Sequence, residues 1–130
     1  MNRREFIKMT DQEVIQAFHI MWDNFPEPVT ITQRSREIIA VNKKAAELGL
    51  TAGIKCSSIG KPEDHKGCLC NKAIDENKSV HVAYEGPQGK AYGFWTPITE
   101  RPEWVLHCQQ NPAGGNQDSL CLQYDTVHRL

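Results

Sequence analysis

Residues 37–50, EIIAVNKKAAELGL, decide how the rest of the chain is interpreted. Residues 38–41 are four consecutive apolar residues, three of them β-branched, which is typical of a short strand buried on both faces. Asn42 ends the run, and its short polar side chain can cap a helix by accepting a hydrogen bond from a backbone N–H shortly after it. Good helix formers follow at 43–48, and Gly49 can adopt the left-handed conformation that ends a helix. The sequence therefore predicts a strand that turns into a short helix at Asn42.

This strand–asparagine–helix step resembles the signature of PAS domains, in which a core strand is followed by a helix of the form N-x-x-A-x-x-L-G. The matching residues are Asn42, Ala45, Leu48 and Gly49. The order of the surrounding elements extends the resemblance over roughly residues 11–110. The resemblance implies an α+β PAS fold, with a five-stranded antiparallel sheet, short helices on one face and an N-terminal amphipathic helix.

The composition places the chain among soluble globular proteins. Its 130 residues suit one domain with a sizeable core, and the hydrophobic and charged shares are 39% and 24%. The formal net charge is −1, so charge gives no reason to expect a nucleic-acid partner. No apolar run is long enough to span a membrane, and the charged N-terminus lacks the apolar core of a signal peptide. We therefore expect a cytoplasmic protein with no membrane partner.

An amphipathic helix is predicted over residues 11–24. Thr10 and Glu13 fit a capping box at its start, and a pair of prolines follows its end. Its apolar stripe is wide and consists of Val14, Ile15, Phe18, Met21, Trp22 and Phe25. The stripe can pack on the sheet of its own chain, and part of it can contact a partner chain, as the N-terminal helix of many PAS domains does. The two interpretations are compatible because the stripe is wide. The width of the stripe predicts a homodimer.

The other elements are predicted from β-branched alternation, turn residues and helix formers. Strands are expected at 29–32, 37–41, 80–84, 91–98 and 103–109, with a long connection at 51–66 and a helix from Cys68 or Asn71 to Asn77. Residues 1–110 then form the PAS domain with its N-terminal helix. Residues 111–130 begin NPAGGNQDSL and are expected to be a linker and C-terminal extension.

Three of the five cysteines lie close together in the sequence. Cys56, Cys68 and Cys70 surround His65, in a pattern that resembles PAS variants with a glycine–basic–cysteine step followed by a cysteine pair. The pair here is Cys-x-Cys instead of Cys-x-x-Cys, an awkward spacing for two ligands of one metal ion. Three interpretations stay open: packing residues, a redox-sensitive thiol pair, or a metal or iron–sulfur site that includes His65.

A small-molecule site is expected on the inner face of the sheet, because PAS domains bind ligands there. The candidate ligand-binding residues are Asn42, Tyr92, Phe94 and Leu106. On the last strand, one face carries Trp104, Leu106 and Cys108 and the other carries Val105 and His107. The sequence leaves open which of these faces points inward. Haem is a further alternative, since haem-binding relatives use a histidine as axial ligand and His65 lies near the predicted helix.

The resemblance implies a sensory domain of bacterial type that binds a small ligand, a cofactor or a partner signalling protein and relays a conformational change. The alternative is a metal- or redox-binding module in which Cys56, Cys68 and Cys70 are the working groups. The sequence has no glycine-rich phosphate loop or nucleophile elbow, so an enzyme is not expected. A whole protein and a piece of a longer sensor both fit the sequence.

Overall fold

The computed structural model describes residues 9–58, 68–86 and 89–110. In chain order, its elements are α1 (Asp11–Trp22), β1 (Val29–Gln33), β2 (Ile38–Val41), α2 (Lys43–Glu47), a 3₁₀ turn (Cys56–Ser58), α3 (Cys70–Glu76), β3 (Val80–Gly86), β4 (Gly89–Ile98) and β5 (Arg101–Gln110). The predictions for His65 and for residues 111–130 lie outside the described residues. Among the described helices, none has the length and apolar character needed to span a bilayer.

The five strands form one antiparallel sheet in the spatial order β2-β1-β5-β4-β3. Strands β1 and β2, β3 and β4, and β4 and β5 are neighbours both in the chain and in the sheet, whereas β1 pairs with the distant β5. The β1–β5 pairing sets Ile31 opposite Leu106 and Thr30 opposite His107. The predicted α+β PAS fold, with a five-stranded antiparallel sheet, is therefore confirmed.

Helix α1 covers one face of the sheet, which we call the outer face. The predicted capping box is present: the Thr10 hydroxyl accepts from the Glu13 N–H at 3.1 Å, and the Glu13 carboxylate accepts from the Thr10 N–H at 2.8 Å. Phe18 is the buried residue of this helix, with 4% of its surface exposed. It packs in an apolar cluster whose buried members are Val29, Ile31, Ala40 and Trp104. The N-terminal helix is therefore held on the sheet by apolar contact across β1, β2 and β5.

Helix α3 covers the opposite face, which we call the inner face. Cys70, Ala73 and Ile74 point from this helix into a second buried cluster. The sheet residues of that cluster are Val80, Val82, Ala91, Trp95 and Val105. Because neighbouring residues of a strand point to opposite faces, Val105 and His107 belong to the inner face, and Trp104, Leu106 and Cys108 to the outer one.

The prediction that the strand before Asn42 is buried on both faces is wrong for half of its residues. Ile38 and Ala40 are buried, with 1% and 2% of their surface exposed, whereas Ile39 and Val41 are only partly buried. Strand β2 lies at an edge of the sheet, where one row of side chains has fewer neighbours than in a central strand. A continuous apolar run does not reveal this position, since central and edge strands can share it.

Several element ends also differ from the predictions; for example, α3 begins at Cys70, between the two predicted starts at Cys68 and Asn71. Helix α1 ends at Trp22 instead of Asn24, with Asp23 as its C-cap. Strand β5 begins at Arg101 instead of Glu103, because the chain reverses at a tight turn in which Glu100 has a φ of 72°. This early start places Arg101 opposite Ile98 and extends the β4–β5 hairpin to its turn.

Candidate functional site

Asn42 lies at the junction where α1, β1, β2 and α2 meet. Its side-chain oxygen accepts from the Ala45 N–H at 2.9 Å, which is the predicted helix cap, and from the Val29 N–H at 3.0 Å. Its side-chain nitrogen donates to the Trp22 carbonyl at 2.9 Å and to the Glu27 carbonyl at 3.0 Å. The amide therefore joins the end of α1 and the start of β1 to the helix that it caps.

These four bonds use both acceptor sites and both donor hydrogens of the Asn42 amide. The residue is also fully buried, with 0% of its surface exposed. A ligand could contact this side chain only by replacing one of the four backbone partners. The structure thus assigns a structural task to Asn42, and its predicted contact with a ligand stays a prediction.

Polar side chains form a stripe along the two central strands on the inner face. Thr30 and Thr32 come from β1, and His107 and Gln109 come from β5. Thr30, Thr32 and Gln109 are buried, with 6%, 4% and 2% of their surface exposed, in a face that is otherwise apolar. Buried polar groups are retained where they have hydrogen-bond partners, so this stripe is the part of the inner face that can recognise a polar molecule.

His107 is the titratable member of this stripe. Its ring stacks on Trp95 of β4, with the two ring centroids 4.6 Å apart and the planes inclined by 15°. Burial, and after it the positive charge of Arg36, lower the pKa of His107 from 6.5 to about 4. The imidazole is therefore neutral at pH 7 and has one donor and one acceptor nitrogen.

Arg36 lies between β1 and β2 and is surrounded by sulfur atoms. Its guanidinium Nη1 donates to Cys68 Sγ at 2.8 Å, and its carbonyl accepts from the Cys56 N–H at 2.8 Å. The Cys70 sulfur is 4.0 Å from the Thr32 hydroxyl. The structure thus places two of the three predicted cysteines, Cys56 and Cys68, against a cation that the sequence did not indicate.

We call Arg36, Cys56, Cys68 and Cys70 the thiol cluster. The pKa values of Arg36, Cys56 and Cys70 are shifted from their ordinary values. Burial and then the neighbouring Cys68 raise the pKa of Cys56 to about 11, although Arg36 acts in the opposite direction. Burial and then Cys68 also raise the pKa of Cys70. Burial lowers the pKa of Arg36, but the three cysteines together raise it above its usual value. At neutral pH, Arg36 is therefore charged, and Cys56 and Cys70 are protonated thiols.

A metal ion has no preformed site in the part of the chain that the structure describes. Within residues 9–58, 68–86 and 89–110, no group of three or more His, Cys, Asp or Glu side chains is arranged to hold one. The Arg36 cation contacts the Cys68 sulfur and would repel a metal ion there. Because His65 lies outside the described residues, the metal, iron–sulfur and haem alternatives stay predictions.

The aromatic and aliphatic candidates lie on the other side of the sheet from the polar stripe. Phe94 is opposite Cys108 in the β4–β5 pair, and Tyr92 and Leu106 have the same alternation, so all three belong to the outer face. Phe94 stacks there on His81, at 5.9 Å between ring centroids. Their contact with a ligand stays a prediction, but they are not neighbours of the thiol cluster or of His107.

Sequence reasoning missed Arg36 and the inner-face stripe. Arg36 lies between the predicted strands at 29–32 and 37–41, and its φ of 77° is a conformation that arginine rarely adopts. Thr30 and His107 could be assigned to one face only after the β1–β5 register was known. The alternation in each strand was the available signal, but it does not fix which face meets α3.

Comparison with solved structures gives the same architecture. A sensory box sensor histidine kinase from Vibrio cholerae matches with a TM-score of 0.54 and 16% identity, over 75% of this chain and 87% of that one. A domain of an HTR-like protein from Haloarcula marismortui matches with a TM-score of 0.54 and 14% identity, over 67% of this chain and 98% of that one. A PAS domain of an HTR-like protein from Haloarcula marismortui is 19% identical, with a TM-score of 0.47.

The first two matches agree with the architecture described above. The chain has the PAS fold. Identities this low establish the architecture and leave the ligand open. No model of a protein family and no curated protein sequence matches the chain.

Proposed function

We propose that this PAS domain is a sensory module of a signal-transduction protein, of bacterial type, which binds a small polar molecule on its inner face and relays the change. The observation that carries the proposal is the stripe of Thr30, Thr32, His107 and Gln109 across the two central strands. Hydrophobic packing alone would favour apolar residues at these buried positions. The similarity of fold to a sensor histidine kinase supports the same role.

The chemistry of the stripe limits the ligand class. Threonine hydroxyls and a neutral imidazole both donate and accept hydrogen bonds, and Arg36 adds a positive charge near His107. Trp95 presents a ring next to them. These groups suit a small molecule with hydrogen-bonding groups and a neutral or negative charge, more than a fatty chain or a cation.

Tryptophan fluorescence can test where a ligand binds. Trp95 lies on the inner face, and Trp104 lies on the outer face together with Trp22 of α1. In the double variant Trp22→Phe/Trp104→Phe, the remaining indole reports on the inner face alone. The probe is the small-molecule fraction released by heat from protein purified natively. We expect it to change the Trp95 emission.

The matched control reports on the outer face. The variant Trp22→Phe/Trp95→Phe keeps only Trp104 and is expected to show no response to the same fraction. Thr30→Val, which removes a hydroxyl while keeping the shape, is expected to abolish the Trp95 response at an unchanged urea midpoint. A response confined to the Trp104 reporter would place binding on the outer face, beside Tyr92, Phe94 and Leu106, and contradict the proposal.

We further propose that the domain forms a homodimer through α1. Ile20 and Met21 leave 78% and 71% of their surface exposed, although Phe18 of the same helix is buried. Exposed apolar residues on one helix are a usual feature of a contact surface. Light scattering is expected to give twice the chain mass, and Ile20→Glu/Met21→Glu the mass of one chain. Ile54→Glu, at another exposed apolar residue, serves as the control and is expected to leave the dimer intact.

The proposal also covers the cellular compartment of the domain and the reactions of its cysteines. We place the domain in the cytoplasm, where the thiols of Cys56, Cys68, Cys70 and Cys108 stay reduced. It relays a signal to a partner protein and does not catalyse a reaction itself. The specific observation that favours the second candidate function, a redox module, is the contact between Arg36 and Cys68.

A further inference from the structure

The contact between Arg36 and Cys68 differs from ordinary packing of a cysteine. The guanidinium Nη1 is 2.8 Å from Cys68 Sγ, and among the described residues no carboxylate lies within ion-pair distance of Arg36. By contrast, the neighbouring Arg34 pairs with Asp75 at 2.8 Å and Glu103 at 3.1 Å. The described side-chain partner of the Arg36 cation is therefore the Cys68 sulfur.

A second cysteine lies against the same arginine. The Cys56 N–H donates to the Arg36 carbonyl at 2.8 Å, which fixes the backbone of Cys56 next to this residue. Both cysteines therefore contact Arg36, Cys56 through its backbone N–H and Cys68 through its sulfur.

Access separates the cysteines into two groups. Cys56 and Cys68 are partly exposed, so a small oxidant can reach them. Cys70 is buried, with 1% of its surface exposed, and packs in the inner-face cluster. Cys108 is partly exposed on the outer face and has no guanidinium among its described contacts, which makes it a matched comparison inside the same chain.

We propose that Cys56 and Cys68 form a thiol pair that responds to hydroperoxides, with Arg36 as the positioning residue that holds the Cys68 sulfur for attack. The Cys68 thiol gives up its proton, and its sulfur attacks one peroxide oxygen. The S–O bond forms, the O–O bond breaks, and the alcohol or water leaves with the proton. The Cys56 sulfur then displaces the hydroxyl group of the sulfenic acid, so that an S–S bond forms and water leaves with the Cys56 proton. Two electrons pass from the sulfurs to the peroxide.

The disulfide would change the structure around α3. It joins the first residue of the 3₁₀ turn to the segment that precedes α3, and it withdraws the Cys68 sulfur from Arg36. After burial, the positive charge of Arg36 is the second cause that lowers the pKa of His107 in the inner-face stripe. The pair thereby connects the redox state of two thiols to the surface on which the proposed sensory function rests, although the oxidation itself does not require that function.

Mass spectrometry of the whole chain tests the chemistry without any ligand. Reduced protein is treated with an equimolar amount of hydrogen peroxide and digested without reductant. We expect a loss of about 2 Da per chain and a crosslinked peptide pair containing Cys56 and Cys68. In Cys56→Ser the sulfenic acid has no resolving thiol, so dimedone is expected to label Cys68. Arg36→Gln is expected to slow the oxidation of Cys68 about tenfold, and Arg36→Lys, which keeps the charge, less.

Cys108→Ser is the control and is expected to leave the rate and the crosslink unchanged. Circular dichroism of each variant confirms that it is folded. Three results would overturn the proposal: dimedone labelling of Cys108 as fast as that of Cys68, a Cys68–Cys70 crosslink in place of the Cys56–Cys68 one, or an unchanged rate in Arg36→Gln. Stoichiometric zinc in freshly purified protein would overturn it too, because the sulfurs would then be metal ligands. If the Cys56–Cys68 crosslink forms as expected but Trp95 emission does not respond to the small-molecule fraction, only the ligand-binding proposal is rejected.

Discussion

The two ends of β2 hold a polar side chain in opposite ways. Asn42 follows the strand, is buried and neutral, and makes four hydrogen bonds to backbone groups of three other segments. Arg36 precedes the strand, is partly buried and charged, and has the Cys68 sulfur as its described side-chain partner. The backbone partners of Asn42 do not react with oxidants, whereas the sulfur partner of Arg36 can be oxidised.

The backbone is unstrained at Asn42 and strained at Arg36. Asn42 has extended backbone dihedrals, with a φ of −83° and a ψ of 178°, as expected of a helix N-cap. Arg36 has a φ of 77°, which costs free energy in any residue with a Cβ atom. The comparison suggests that the Asn42 end fixes the fold, and that the Arg36 end is held in place by contacts that can be exchanged.

The largest effect is expected for Asn42→Ala. The substitution leaves the N–H groups of Val29 and Ala45 and the carbonyls of Trp22 and Glu27 without their partner, so the free energy of unfolding should fall by roughly 3 kcal/mol. Urea unfolding gives the value.

The control for this substitution is Asn71→Ala, on the exposed side of α3, which should change the free energy of unfolding by less than about 0.5 kcal/mol. If Asn42→Ala costs only about 1 kcal/mol, the cap bond alone matters, and the junction described above is energetically unimportant.

A smaller effect is expected from pH, through His107. Its folded pKa of about 4 lies below its ordinary value of 6.5, so the unfolded state takes up a proton first as the pH falls. The stability that the neutral ring contributes is full above about pH 6.5 and is lost as the pH falls towards 4, by at most about 3 kcal/mol. The free energy of unfolding is measured against pH for the wild type and for His107→Gln, and the difference between the two curves gives the contribution of His107.

His81→Gln is the matched control, because His81 is exposed on the outer face and should leave the profile unchanged. In Arg36→Gln, the loss due to His107 should become smaller, since the positive charge contributes to the lowered pKa. An identical His107 contribution in that variant would show that Arg36 does not influence the inner face.

The smallest effect on stability is expected for Arg36→Gln under reducing conditions. The substitution removes the guanidinium contact with Cys68, which is partly exposed, so we expect a loss of about 1 kcal/mol in the free energy of unfolding. Arg36→Gly removes the same contact but relieves the positive φ, and should be less destabilising than Arg36→Gln by some tenths of a kcal/mol or more. A loss as large as that of Asn42→Ala would remove the contrast between the two ends.

The sequence was most informative where one residue type serves one local purpose. Thr10 with Glu13 predicted the start of α1, and Asn42 with Gly49 predicted both ends of the short helix after β2. These signals are local, since a cap acts within one turn of the chain. The resemblance to PAS domains then supplied the sheet, which no single stretch could have determined.

The candidate site was predicted only in part, because it depends on contacts between distant residues. The cysteines were singled out by their spacing, and in the structure both Cys56 and Cys68 contact Arg36. Their central partner comes from the β1–β2 turn, and no local pattern connects Arg36 with a helix that begins at Cys70. The inner face depends likewise on which side of β5 meets α3, and alternation gives two equivalent answers until the tertiary packing is known.

The exposed edge of β2 has a further consequence for how this domain behaves at high concentration. The backbone of Ile38 is already hydrogen-bonded on its outer edge, since its N–H donates to the Ile54 carbonyl and its carbonyl accepts from the Gly53 N–H, each at 2.8 Å. Glu37 and Lys55 form an antiparallel bridge beside them. Residues 53–56 thus occupy the positions at which a foreign strand would add to the start of β2. Within the part of the chain that the structure describes, the more open template for sheet growth between molecules, the route to fibrils and to strand exchange, is therefore the opposite edge, along β3.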